Sequence, residues 1–186
     1  MATGKLKGCK YMNQKIIQKA ADVIQEKTGY IGDGMEGYCT LAVIDEDGYP
    51  SASTLSISKA EGIKWITFLS GLKSNKASRI NKCNRGSVCI SFPSYNITLV
   101  GTLEVQTDTD IKKEMWQEPL GNMYSGPDDP EYCVIRFTTK RYNLFFADDG
   151  SMAEGALYLA IYNKQPKLST ERKGETICRL VSSMKI

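Results

Sequence analysis

The chain contains no histidine in its 186 residues. That absence removes the commonest metal ligand and the usual general base near neutral pH. Histidine-ligated haem, histidine-based zinc hydrolysis and Ser-His-Asp chemistry are therefore excluded. The six cysteines, Cys9, Cys39, Cys83, Cys89, Cys133 and Cys178, include no Cys-x-x-Cys pair. Cys39, Cys89 and Cys133 lie in apolar runs, where a free thiol behaves as a small hydrophobe, so all are read as reduced. No hydrophobic run approaches the roughly 20 residues needed to span a bilayer. Met1 to Lys10 is polar and basic without the apolar segment of a signal peptide, which leads to the expectation of a cytoplasmic protein with no membrane partner. An excess of either charge is missing too: the formal net charge is only +3, and nothing calls for nucleic acid.

What is present suits one domain with peripheral additions. The hydrophobic share of 41% and charged share of 24% are those of an ordinary globular chain. Ile16, Ile17, Ala20, Val23 and Ile24 recur at helical spacing, which predicts an amphipathic helix over 13–27. A literal Gly-x-Gly-x-x-Gly runs from Gly32 to Gly37. It follows a helix and leads into a strand, the reverse of a dinucleotide fingerprint, and reads as a loop.

Strand signals then come quickly. Tyr38 to Ile44 and Ser51 to Ser58 flank an Asp47-Gly48 turn, and Ile63 to Leu69 follows, predicting a three-stranded antiparallel meander. A helix is expected from Ser74 to Cys83, then a hairpin of Ser87 to Phe92 and Ile97 to Thr107. Helical spacing returns from Asp108 to about Glu118, Gly121 to Pro130 is a loop, and Tyr132 to Phe146 is the last strong strand. Ala156 to Tyr162 reads as either strand or helical turn. The count gives an antiparallel sheet of about six strands with two or three helices outside it. Closure into a small barrel removes the exposed edges.

The junction after the third strand carries the clearest chemical signal. Unpaired backbone N–H groups at a helix N-terminus, the Ser74 hydroxyl and the Lys76 ammonium together suit a phosphate. The alternative is that Ser74 only caps the helix while Lys76 and Arg79 are solvated.

Taken in order, Leu41-Ala-Val-Ile-Asp-Glu-Asp-Gly-Tyr-Pro, Trp65-Ile-Thr-Phe, Ser74-Asn-Lys76, Asn81-Lys-Cys-Asn-Arg-Gly-Ser-Val, Val100-Gly-Thr-Leu-Glu-Val, Trp116 and Gly126-Pro-Asp-Asp-Pro-Glu-Tyr-Cys-Val-Ile-Arg-Phe resemble a known family. It is the pyridoxamine 5′-phosphate oxidase-like flavin-binding split barrel, nearest its general-stress-protein branch, over about Lys15 to Phe146. The resemblance implies a mainly β fold, a six-stranded antiparallel split β-barrel at 1–148 with a C-terminal extension at 149–186. It further implies a homodimer that binds FMN between subunits. Ser74 and Lys76 would hold the phosphate, with Arg79 on the same helical face. Ser53, Thr54 and Leu55 with Thr67, Phe68 and Leu69 would line the ring, and Trp116 would approach it from the partner subunit. A Trp at that spacing is equally read as a core anchor.

The chemistry would belong to the flavin, drawing electrons from NAD(P)H and passing them to a small electrophile; no catalytic side chain and no metal ligand is assigned. Two departures shape the expectation. The segment Thr170 to Cys178 lacks the arginine- and histidine-containing pattern for a substrate phosphate, so vitamin B6 oxidation is not expected. Ser53, Thr54 and Ser56 stand where many relatives place an arginine, which keeps open a flavin-binding stress-response module without efficient turnover, or a barrel for a non-flavin ligand.

Overall fold

The computed structural model describes residues 3–29 and 37–157, with side chains from residue 13 onward. Helix α1, Thr3–Glu26, begins ten residues before the expected start. Its Ile16, Ala20 and Ile24 are buried at a four-residue spacing and enter the main core. It ends where Gly29 takes a positive φ of 71° and its N–H bonds the carbonyl of Ile57 at 3.0 Å.

Strands β1 (Tyr38–Ile44) and β2 (Pro50–Ser56) form the expected hairpin. Asp45 shapes its turn, accepting from the N–H groups of Asp47 at 3.0 Å and Tyr49 at 2.8 Å. The meander, however, does not form. β2 pairs only with β1, whereas β4 (Trp65–Gly71) pairs with the short β3 (Lys59–Glu61) and with a strand far along the chain. Helix α2 (Asn75–Lys82) follows β4, then β5 (Arg85–Phe92), β6 (Tyr95–Gln106), helix α3 (Thr109–Met115), a 3₁₀ turn at Glu118–Asn122, β7 (Tyr132–Phe146) and β8 (Ser151–Ala156).

The strand order is β2-β1-β5-β6-β7-β4-β3, with β8 on β7, so the antiparallel sheet has eight strands rather than six. The two additional strands were hard to foresee: Lys-Ala-Glu is too short and polar to signal, and Ser-Met-Ala-Glu-Gly-Ala has few β-formers. Strand β7 holds them together. Its first half, Tyr132–Thr138, pairs β4, and its second half, Arg141–Phe146, pairs β8. Along its other edge it runs beside β6, with the register shifting between Val100 and Gly101. A Cβ on Gly101 would lie 2.0 Å from the Thr138 carbonyl oxygen, so only glycine fits there.

Alternate residues fill the barrel. Leu41, Val88, Ile97, Leu99, Phe68, Ile135 and Phe137 belong to one buried cluster with the α1 face and Ile80 of α2. A second, smaller cluster lies on the outer side of β4 and β7 beneath α3, built from Met115, Leu120, Tyr132 and Val134. This explains why Tyr132 to Ile135 is buried on both faces. The ends of the sheet order, β2 and β3, are not bonded to each other, and the barrel is split there.

Cys39, Cys83, Cys89 and Cys133 are free thiols, and burial pushes Cys39 up to about 12 and Cys133 to about 11. No helix among the described residues is long and apolar enough to cross a membrane. Residues Gly32 to Glu36 of the glycine-rich motif lie outside the described residues. So does 158–186, which includes most of the ambiguous Ala156 to Tyr162 segment; Ala156 itself ends β8.

Candidate cofactor site

Helix α2 begins as its sequence requires. Ser74 sits in extended backbone ahead of it and accepts from the Ala77 N–H at 3.2 Å, while Ala77 and Ile80 anchor the helix in the core. Its first turn holds no acidic residue. The Ser74 hydroxyl also lies 3.2 Å from that of Ser70. Lys76 is half-buried and makes no ion pair or side-chain hydrogen bond among the described residues. Lys73, by contrast, pairs with Glu131 at 2.6 Å.

Arg79 lies one turn further along and is already engaged. Its Nε is 3.3 Å from Glu46 Oε2, and one terminal nitrogen donates to Ser51 Oγ at 2.8 Å. The Glu46 carboxyl is held below the usual carboxylate range by its own backbone N–H and by Arg79. Arg79 thus ties α2 to the first residues of β2.

Strand β2 then leads away from that cationic corner. Ser51, Ser53 and Leu55 pair with Val43, Leu41 and Cys39, and side chains alternate along a strand, so the three share one face. At the far end Leu55 and Thr54 line a cavity of about 250 Å³ together with Leu69 of β4. Tyr38, Ser56, Ile57, Ser58, Gln117, Leu120 and Met123 complete the lining, none of it carrying a formal charge. Ser51 and Leu55 are four positions apart along the strand, a span of about 13 Å. The geometry offers an uncharged, partly apolar chamber at one end and positive charge at the other.

The expected ring-lining residues divide accordingly. Thr54, Leu55 and Leu69 meet at the cavity, and Ser53 stands on β2 between it and Arg79. Phe68 is fully buried in the barrel interior. Thr67 turns the other way, towards α3: its hydroxyl exchanges hydrogen bonds with Lys59 backbone atoms at 3.1 and 3.2 Å and lies 3.7 Å from the Met115 sulfur. Trp116 caps the C-terminus of α3 and packs edge-on to Tyr132, ring centroids 5.4 Å apart. Sequence reasoning missed Tyr38, Ser56, Ile57, Ser58, Gln117, Leu120 and Met123 as lining residues. Of these, Ser56 to Ser58 follow Leu55 and Gln117 adjoins Trp116, so only those lay near a singled-out position.

Beside the cavity, the layer under α3 is unusually polar for a packed cluster. Burial pushes the Tyr132 phenol up to about 12, and its hydroxyl finds no partner among the described residues. Lys112, 6% exposed, donates to the Asp129 carbonyl at 2.7 Å and lies 5.7 Å from the Tyr132 ring centroid. Among the described residues, no group of three or more acidic or thiol side chains is placed to hold a metal.

An antiparallel barrel split along one seam, with an uncharged chamber at one end of a strand beside that seam and the Arg79 guanidinium at the other, defines a split-barrel protein. The profile of the family described as "Pyridoxamine 5'-phosphate oxidase like" matches residues 31–164, more than half the chain, and the chain belongs to that family. No curated protein matches it in sequence.

Among solved structures, a protein related to general stress protein 26 from Clostridium acetobutylicum superposes with a TM-score of 0.64 at 20% identity, covering 77% of this chain and 96% of that one. A pyridoxamine 5′-phosphate oxidase-related, FMN-binding protein of Nostoc punctiforme gives 0.53 at 15% identity, covering 78% and 94%. A heme-binding protein from Mycobacterium smegmatis gives 0.57 at 16% identity, covering 75% of this chain but 57% of that one. At these identities the likeness shows the fold.

Proposed function

We propose that this chain binds FMN, as a homodimer, and serves as an oxidoreductase that passes electrons from NAD(P)H to a small electrophile. One observation carries the reading. An uncharged chamber lies at one end of β2 and the Arg79 guanidinium of α2 meets the other at Ser51, a separation suited to a ligand with a ring at one end and a phosphate at the other. The residues present fit the cofactor. Ser74, Lys76 and the first backbone N–H groups of α2 would hold the phosphate, and Arg79 would add positive charge shared with Glu46. Thr54, Leu55 and Leu69 would flank the ring.

A cavity of about 250 Å³ is small for a whole cofactor, since ligand sites run from about 300 Å³ upward. A second subunit over the open side would enlarge it and exclude water, which is why the proposal includes the dimer. When bound, FMN supplies the electron-transfer chemistry. The chain's own contribution is to bind, orient and shield the ring. The FMN-binding relative from Nostoc punctiforme supports this reading.

A second reading has its own support: of the cavity-lining side chains only Tyr38 is titratable, which suits a module that holds flavin without efficient turnover. The visible spectrum of purified protein, before and after incubation with FMN and removal of the excess, is the first test. Retained flavin bands support the cofactor, and haem bands or none would reject it. Reduction by NAD(P)H in the steady state then separates enzyme from holding module. Sedimentation tests the dimer.

A further inference from the structure

Two residues that line the cavity each carry a buried side-chain oxygen with no hydrogen-bond partner among the described residues. One oxygen is Oγ of Ser58, a residue 5% exposed, and the other is Oε1 of Gln117. They come from separate parts of the chain. Ser58 follows β2, and Gln117 lies between α3 and the 3₁₀ turn.

Their backbones are fixed. The Ser58 N–H donates to the Thr67 carbonyl at 2.9 Å and its carbonyl accepts from the Gly29 N–H at 3.1 Å; the Gln117 carbonyl accepts from the Leu120 N–H at 3.0 Å. A buried polar atom without a partner costs free energy, so a pair of them on residues that line one chamber points to a ligand that supplies what is missing.

The chemistry of that ligand edge follows from the inventory. A carboxamide oxygen needs a donor, and a serine hydroxyl can donate or accept. A charged group is disfavoured, because no lining side chain would neutralise it. A purely apolar ligand would leave both atoms unpaired. A cyclic imide edge, an N–H flanked by two carbonyls, satisfies both and meets the Gln117 amide in either orientation.

We infer that Ser58 and Gln117 recognise a cyclic imide edge. Resting on the FMN reading above, that edge is the pyrimidine end of the isoalloxazine ring, leaving the apolar side chains of Leu55, Leu69 and Leu120 for its faces. The pair determines which flavins bind rather than what the bound flavin does.

The test compares FMN with N3-methyl-FMN, in which the imide N–H is replaced, by fluorescence titration of the full chain. The wild-type protein is expected to bind the methylated cofactor about tenfold or more weakly. Gln117→Leu is expected to weaken FMN binding by a similar factor and to abolish the discrimination between the two. Ser58→Ala should give a smaller loss of FMN affinity with an unchanged or higher melting temperature.

Equal wild-type affinities for the two flavins would overturn the edge assignment while leaving FMN binding intact. A methylation penalty that survives in Gln117→Leu would trace it to bulk alone and overturn the assignment equally. Failure of both flavins to bind the wild-type chain would overturn this inference together with the proposed function.

Discussion

The barrel interior and the layer beneath α3 are both buried, yet they are built on different terms. Inside the barrel, aliphatic and aromatic chains from the sheet, α1 and α2 interdigitate around Phe68, Leu99 and Phe137. Under α3, four buried residues are joined by partly buried Leu69, Ile111, Trp116 and Tyr124, and this layer also holds an unpaired phenol and a buried ammonium. The first arrangement maximises apolar burial, and the second spends stability on polar groups next to a cavity.

The contrast can be broken most forcefully from inside the barrel. Phe68→Ala removes a ring with no solvent exposure and should cost about 3–5 kcal/mol in urea unfolding. A cost under about 1 kcal/mol would mean that the interior is not the stabilising region. The next effect bears on ligand and spares the fold: Lys76→Ala should weaken FMN binding by about 1.5–3 kcal/mol, read by titration. Stability should stay within about 0.5 kcal/mol, and unchanged affinity would remove Lys76 from the phosphate site.

Tyr132→Phe probes the outer layer directly. Deleting an unpaired buried hydroxyl should raise stability by up to about 1 kcal/mol. It also changes the alkaline limb. Because the folded phenol titrates at about 12, above the ordinary value of about 10, the folded state retains its proton longer than the unfolded one. Its contribution is therefore complete below about pH 10 and lost as pH rises towards about 12. The wild-type protein should lose stability more steeply over that window than the Phe variant.

The smallest effect lies on the surface of β3 and β4. Lys64, and then the Trp65 indole N–H, hold the Glu61 carboxyl below its usual range. A depressed carboxylate stabilises above its unfolded value and loses that contribution as pH falls through the folded one. Glu61→Gln should flatten the acid limb of a thermal-melt series slightly while changing little near neutrality.

The sequence was most legible where local signals and tertiary pairing agree. β1 and β7 have the expected limits, and Ser74 and Cys83 flank α2 where capping chemistry places them. It was least legible where pairing partners are distant. β4 finds β7 rather than β2, and the short, polar β3 and β8 exist because β4 and β7 supply their hydrogen bonds. The site divides the same way. Ser74 and Lys76 announce a helix start locally, whereas Ser58 and Gln117 share a cavity only through the tertiary fold. Neither carries a motif.

The strand order also has a consequence in time. Leu55 and Leu69 are fourteen positions apart, but β4 is held in the sheet by β7, whose first residue is Tyr132. Both walls of the chamber emerge from the ribosome early, but β4 is not joined to the rest of the sheet until the chain has grown past Phe137, which pairs with Ile66. Such non-local pairing is slow to form. The cavity is thus among the last features to exist during synthesis, and uptake of a ligand there would report that the barrel has finished folding.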